Sequence, residues 1–132
     1  AKIDLHALPR ALSPAGNQFG GQAPGSDAEE REAAYAKVGV RSFPVLDHVE
    51  VNGGGAVPLY RALKAALPGP GRPTPFNEPG AVAWNYTFFL VGRDGVPLAR
   101  FEPGADPLDL EGDVRLALAG KAPLPAECKM HP

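Results

Sequence analysis

Hydrophobic and polar positions recur along the chain with the spacing of three helices. After Pro58, which suits a first helical turn, apolar residues follow the pattern of one buried stripe that should end at Pro68-Gly69: Leu59, Ala62, Leu63, Ala66 and Leu67. A helix is also predicted over about 27–38, because Ser26-Asp27-Ala28-Glu29 is a capping box in which Ser26 caps the backbone and Glu29 reaches back. Gly39 is well suited to end it.

The second half of the chain predicts a β-hairpin followed by the last helix. Tyr86–Val91 is apolar on both faces apart from Thr87, which is typical of an interior strand. Gly92-Arg93-Asp94-Gly95 predicts the turn, and Val96–Phe101 returns as a strand that Pro97 favours at an edge. Asp106 should cap the last helix, which Gly120 ends. Its predicted buried face contains Leu110, Val114, Ala117 and Leu118.

The remaining segments carry weaker signals. Short extended pieces are expected at Phe43–Leu46 and Val49–Val51, followed by a turn at Asn52–Gly55. Residues 1–19 are irregular in pattern, and an edge strand or a helical turn is possible there. We therefore expect one domain over 1–120 and a C-terminal tail over 121–132.

Composition excludes several classes of function. The 132 residues hold 13 basic and 15 acidic side chains with no basic stripe, so no nucleic-acid partner is expected. The longest apolar stretch, 81–91, is shorter than the roughly 20 residues that cross a bilayer, so no transmembrane segment is expected. His6, His48 and His131 are widely spaced, which favours loop histidines over metal ligands. Neither a metal nor a cofactor is expected.

Four stretches, in the same order, resemble the motifs of glutathione peroxidases. They are Asn17–Ser26 (NQFGGQAPGS), Phe43–Gly53 (FPVLDHVEVNG), Pro58–Lys64 (PLYRALK) and Trp84–Gly95 (WNYTFFLVGRDG). The resemblance covers about residues 12–119. It implies an α/β, thioredoxin-like (glutathione-peroxidase-type) fold, here with an incomplete sheet and flanking helices.

The resemblance also implies a site. Family members attack the peroxide with a cysteine or selenocysteine, and a glutamine, a tryptophan and an asparagine stabilise its anion. Those three donors map onto Gln22, Trp84 and Asn85. The nucleophile would lie on a strand and helix upstream of every matched stretch, and these residues contain none. The one cysteine, Cys128, follows the last helix. Ala23, His48 and Phe88 also depart from the family's usual Glu, Lys and Lys.

Three interpretations of function remain open from the sequence. The favoured one is a catalytically inactive, glutathione-peroxidase-like subunit whose partners are other protein chains of a larger assembly. The alternative is a peroxidase reducing hydrogen peroxide or lipid hydroperoxides with glutathione or thioredoxin, its nucleophile lying on an absent N-terminal segment. A weaker third is a thiol-binding module that no longer turns over. Because residue 1 is Ala rather than Met, the sequence is interpreted either as a mature chain after processing or as a fragment of a longer one. A processed chain would suit an organelle, chloroplast or mitochondrion, but the sequence itself indicates no compartment.

Overall fold

A computed structural model describes residues 13–14, 18, 21, 25–39, 45–69, 78–84 and 86–123. Within them the elements, in chain order, are β1 (Ser13–Pro14), α1 (Asp27–Val38), β2 (Val45–Leu46), α2 (Pro58–Ala66), β3 (Phe88–Val91), β4 (Pro97–Phe101), a 3-10 helix (Pro107–Leu110) and α3 (Glu111–Leu118). The order agrees with the one predicted from the sequence. In this part of the chain, no helix is both long and apolar enough to cross a membrane.

The strands form two separate pairs across the described residues. β1 and β2 are parallel, with Ser13 opposite Val45. β3 and β4 are antiparallel, with Phe88 opposite Phe101 and an irregularity between Leu90 and Val91. No strand joins the two pairs within these residues, which agrees with the incomplete sheet expected from the sequence.

Local signals at the start and end of α1 work as the sequence predicts, with one difference. The Ser26 hydroxyl accepts a hydrogen bond from the Glu29 backbone N–H at 3.2 Å, and Gly39 ends the helix with a φ of 72°. The carboxylate that reaches back belongs to Glu30, which accepts from the Gly25 N–H at 2.8 Å. The sequence assigned that role to Glu29, but the bond is made one residue further along, by Glu30.

The last helix differs more from its prediction. The Asp106 side chain caps the 3-10 helix by accepting from the Leu108 N–H at 2.9 Å, and α3 follows directly. Val114 and Leu118, predicted to be buried, are 39% and 57% exposed, whereas Asp113 and Ala117 are buried. Helical spacing identifies an apolar face, but it does not determine whether another element covers that face.

Two further predictions about burial were wrong. Tyr86 has a φ of 64° and is 72% exposed, so the strand begins only at Phe88, and all four residues of β3 are partly exposed rather than interior. In α2 the predicted stripe is buried at Leu63, but Ala66 is exposed and the neighbouring Lys64 is buried. The Lys64 ammonium pairs with a carboxylate, which explains its place inside.

A small apolar cluster lies between the loop after β2 and the segment before β3. Val51 and Val82 are its buried members, and partly buried Val49, Tyr60 and Phe89 pack against them. The rings of Tyr60 and Phe89 meet edge to face with centroids 6.1 Å apart. The cluster therefore joins α2 and β3 beside the segment that leads to Trp84.

Candidate functional site

Trp84 is the candidate site residue that the structure describes. Its side chain is 47% exposed, at the surface just before β3. The backbone carbonyl of Trp84 accepts a hydrogen bond from the Thr87 hydroxyl at 3.1 Å, and Tyr86 between them turns the chain through its positive φ. The indole ring carries an N–H that can only donate. Trp84 thus places a half-exposed, donor-bearing ring at a turn of defined shape.

Gln22 and Asn85, the other two donors inferred from the resemblance, lie outside the described residues. Their convergence with Trp84 on one shallow hollow stays a prediction. Cys128 also lies outside, as do His6 and His131. In the described part of the chain, no group of three or more His, Cys, Asp or Glu side chains has the arrangement of a metal site.

Side chains from distant parts of the sequence hold the segment before Trp84. The Asn52 amide donates to the Val82 carbonyl at 2.7 Å and accepts from the Val82 N–H at 2.8 Å. The Arg100 guanidinium on β4 donates to the Gly80 carbonyl at 2.6 Å and to the Ala81 carbonyl at 3.0 Å. Three consecutive residues therefore have their backbone groups bonded, which fixes the path of the chain into Trp84.

Gln18, in the NQFG stretch, is hydrogen-bonded to the backbone at Val51 and Asn52. Its side-chain carbonyl accepts from the N–H groups of Val51 and Asn52 at 2.9 and 3.1 Å, and its amide N–H donates to the Asn52 carbonyl at 3.0 Å. Asn52 is 1% exposed, and the Gln18 and Val82 bonds together reach both its backbone and its side chain. A buried amide needs such partners, because leaving its polar groups unpaired costs about 1–3 kcal/mol each.

An ion pair lies next to this arrangement. The Glu78 carboxylate accepts from the Lys64 ammonium of α2 and from the Gly53 N–H. The Lys64 hydrogen bond, followed by the Gly53 N–H, holds the pKa of Glu78 below its ordinary value despite the opposing effect of burial. The pair therefore ties α2 to the turn that begins at residue 78, on the way to Trp84.

A second charged contact lies at the start of α1. His48 contacts the Asp27 carboxylate through its backbone N–H at 2.8 Å and through its ring Nδ1 at 2.6 Å. These bonds hold the pKa of Asp27 below its ordinary value. His48 was predicted to be a loop histidine, and here its ring links the loop after β2 to the first residue of α1.

Sequence reasoning missed Gln18 and Asn52 as residues that shape the site. Asn52-Gly53 was interpreted as a turn at the end of the Phe43–Gly53 stretch, and Gln18 only as part of a motif. The sequence gives one weak signal that Asn52 is buried: Asn52 follows the alternating apolar residues Val49 and Val51. The partner Val82 lies 30 residues further on, so the pairing is not readable from local pattern.

The chain is similar to several known proteins. No protein-family model matches it. A probable glutathione peroxidase 2 of Arabidopsis thaliana is 39% identical over 102 residues, which are 77% of this chain and 56% of the relative. A glutathione peroxidase of Schistosoma mansoni is 39% identical over 105 residues, 80% of this chain and 57% of the relative. The chain thus spans little more than half the length of these relatives.

Solved structures agree with the sequence matches. The crystal structure of T. cruzi GPX1 gives a TM-score of 0.59 at 35% identity, over 82% of this chain and 59% of that one. The structure of Trgpx in its apo form gives 0.58 at 30% identity, over 85% of this chain and 59% of that one. This likeness confirms the predicted α/β, thioredoxin-like fold class.

Proposed function

The chain belongs to the glutathione peroxidase family, and from this premise we propose that its 132 residues turn over no hydroperoxide by themselves and serve as a structural or interaction subunit of a larger assembly. One observation carries the proposal. The only cysteine, Cys128, comes after every stretch that resembles the family, whereas the family nucleophile comes before them. The 132 residues contain the three donors inferred from the resemblance, Gln22, Trp84 and Asn85, but not the nucleophile.

The chemistry explains why donors alone are not enough. Breaking an O–O bond heterolytically requires an electron pair, which a thiolate or selenolate supplies as it takes one oxygen. Amide and indole N–H groups stabilise the anion before attack and the charge that develops during it. They do not form the new bond to oxygen. A site made of Gln22, Trp84 and Asn85 is therefore a site for an anion and needs a nucleophile from elsewhere.

A second candidate is a peroxidase whose nucleophile lies on a polypeptide segment outside these residues. The half-exposed Trp84 ring, on a backbone held by Asn52 and Arg100, favours it. The thiolate would take the terminal OH of ROOH to give a sulfenic acid, and the departing alkoxide would take up a proton to become ROH. Two thiol equivalents, from glutathione or thioredoxin, would then return the sulfenic acid to the thiol, releasing water and becoming a disulfide.

Peroxide-dependent oxidation of glutathione and of thioredoxin separates the two candidates. The 132 residues are expected to show no turnover, and a Cys128→Ser variant checks for adventitious thiol chemistry. Turnover that persists in Cys128→Ser overturns the inactive assignment. The same assay on the longest polypeptide that its transcript encodes tests the second candidate. If that polypeptide is active, Trp84→Phe should lower kcat/KM on the order of 100-fold, as loss of one preorganised donor does.

A further inference from the structure

Asn52 joins three parts of the chain that are far apart in sequence. Its backbone is bonded to the Gln18 amide in the NQFG stretch, and its side chain is bonded to Val82, two residues before Trp84. The distances of these four bonds lie between 2.7 and 3.1 Å. The Asn52 side chain thereby bonds both the N–H and the C=O of Val82, as the backbone of a neighbouring β-strand would.

We infer that Asn52 and Gln18 are positioning residues for Trp84, which set where the indole donor lies relative to Gln18. The inference rests on the proposed function in one respect, that Trp84 is an anion-stabilising donor. It adds two residues whose side chains act through Val82 and not on the substrate. The Gln18–Asn52–Val82 hydrogen bonds, called the amide bridge below, connect Gln18 to the segment that leads to Trp84.

The residue types fit this role more closely than a packing role. An apolar side chain at 52 would leave the Val82 N–H and C=O without partners in a region where Asn52 is 1% exposed. Aspartate would keep an acceptor for the Val82 N–H but would place a second oxygen against the Val82 carbonyl. Asparagine supplies one donor and one acceptor on a short, stiff side chain, which matches the two groups of a single peptide residue.

Apolar packing supports the amide bridge at Val82. Val82 is 4% exposed and packs on Val51, the neighbour of Asn52, so the apolar contact and the hydrogen bonds act on the same residue. Val82 lies two residues before Trp84, so the backbone that leads to the half-exposed indole is held at this point.

The test is nuclear magnetic resonance on the 15N-labelled full chain, with the Trp84 indole N–H signal assigned by its loss in Trp84→Phe. Asn52→Ala should speed hydrogen exchange at the Val82 amide about tenfold or more, the change expected when a bond worth about 1.4 kcal/mol is lost. The Trp84 indole signal should shift or broaden in the same variant. Gln18→Ala should produce the same two changes to a smaller degree, because it acts on Asn52.

Leu63→Ala is the matched control. Leu63 is buried in α2 and lies outside the Val51–Val82 cluster, so its truncation destabilises the fold without touching the amide bridge. If Asn52→Ala changes exchange uniformly, as Leu63→Ala does, and leaves the Trp84 signal in place, the positioning role is wrong. The proposed site fails separately, if Trp84→Phe leaves the turnover of an active polypeptide unchanged; the resonance result stands in either case.

Discussion

At the scale of single residues, the titration of Tyr60 should change the free energy of unfolding at alkaline pH. Tyr60 packs edge to face on Phe89, and burial raises the pKa of its hydroxyl from 10.0 to about 12. The unfolded chain therefore ionises first as the pH rises. The stabilisation is complete below about pH 10 and is lost as the pH approaches about 12. Chemical denaturation across this range should show a fall in the free energy of unfolding on the order of 2 kcal/mol.

Tyr60→Phe should remove that alkaline fall, because phenylalanine keeps the ring and has no proton to lose. Tyr86→Phe is the control, since the Tyr86 side chain is 72% exposed. The alkaline fall in the free energy of unfolding should be lost in Tyr60→Phe and kept in Tyr86→Phe. An alkaline fall of equal size in Tyr60→Phe and in the unmodified chain would show that other groups cause it.

Single residues also show what sequence reasoning can and cannot find. Trp84 was named from its motif, and the structure places it shortly before β3, while its role as a donor stays a prediction. Asn52 was missed, although it is the most completely buried of the large side chains described. Its partners are Gln18, 34 residues before it, and Val82, 30 residues after it. Local pattern carries no information about such pairings.

At the scale of elements, α2 is fixed to the turn before Trp84 by the Lys64–Glu78 ion pair. The Lys64 side chain is 6% exposed and the Glu78 side chain is 29% exposed. Glu78→Gln should lower the free energy of unfolding by about 1–3 kcal/mol, because it leaves a buried ammonium without its counter-charge. The double variant Lys64→Met with Glu78→Gln should recover part of the loss, since it removes the uncompensated charge as well.

A double-mutant cycle in urea measures this coupling at neutral pH. Arg115→Gln is the comparison, because Arg115 forms an exposed pair with Glu111 on α3, where both side chains are more than half exposed. That substitution should change stability by no more than about 0.5 kcal/mol. Additive single effects at Lys64 and Glu78 would contradict the role given to the pair.

The elements divide into those that local signals determine and those that need the rest of the molecule. The bounds of α1 follow from Ser26 and Gly39, and the start of α2 follows from Pro58, as the sequence predicts. The exposed face of α3 was predicted to be buried, because Val114 and Leu118 have the spacing of a core stripe. Whether a stripe is covered depends on elements elsewhere in the fold, which the helix itself does not encode.

At the scale of the whole molecule, the two strand pairs leave β3 with a neighbour on one side only among the described residues. In the family fold the strand leading to the nucleophile lies between the strand before the NQFG loop and the strand near Trp84. Within the part of the chain that the structure describes, the corresponding strands, β1 and β3, do not pair with each other. An unpaired strand edge presents N–H and C=O groups that can pair with another chain.

We therefore expect the 132-residue chain to associate rather than remain a monomer of 13.8 kDa in solution. Phe88 lies in β3 at a position where the family commonly has Lys, so Phe88→Lys should weaken association by adding a charge at this strand. Ala119→Lys adds the same charge at an exposed site after α3 and should leave association unchanged. Size-exclusion chromatography with light scattering, over a range of concentrations, measures all three proteins. A cooperatively melting monomer of 13.8 kDa for the unmodified chain would count decisively against the assembly, since the edge of β3 would then be satisfied within the chain itself.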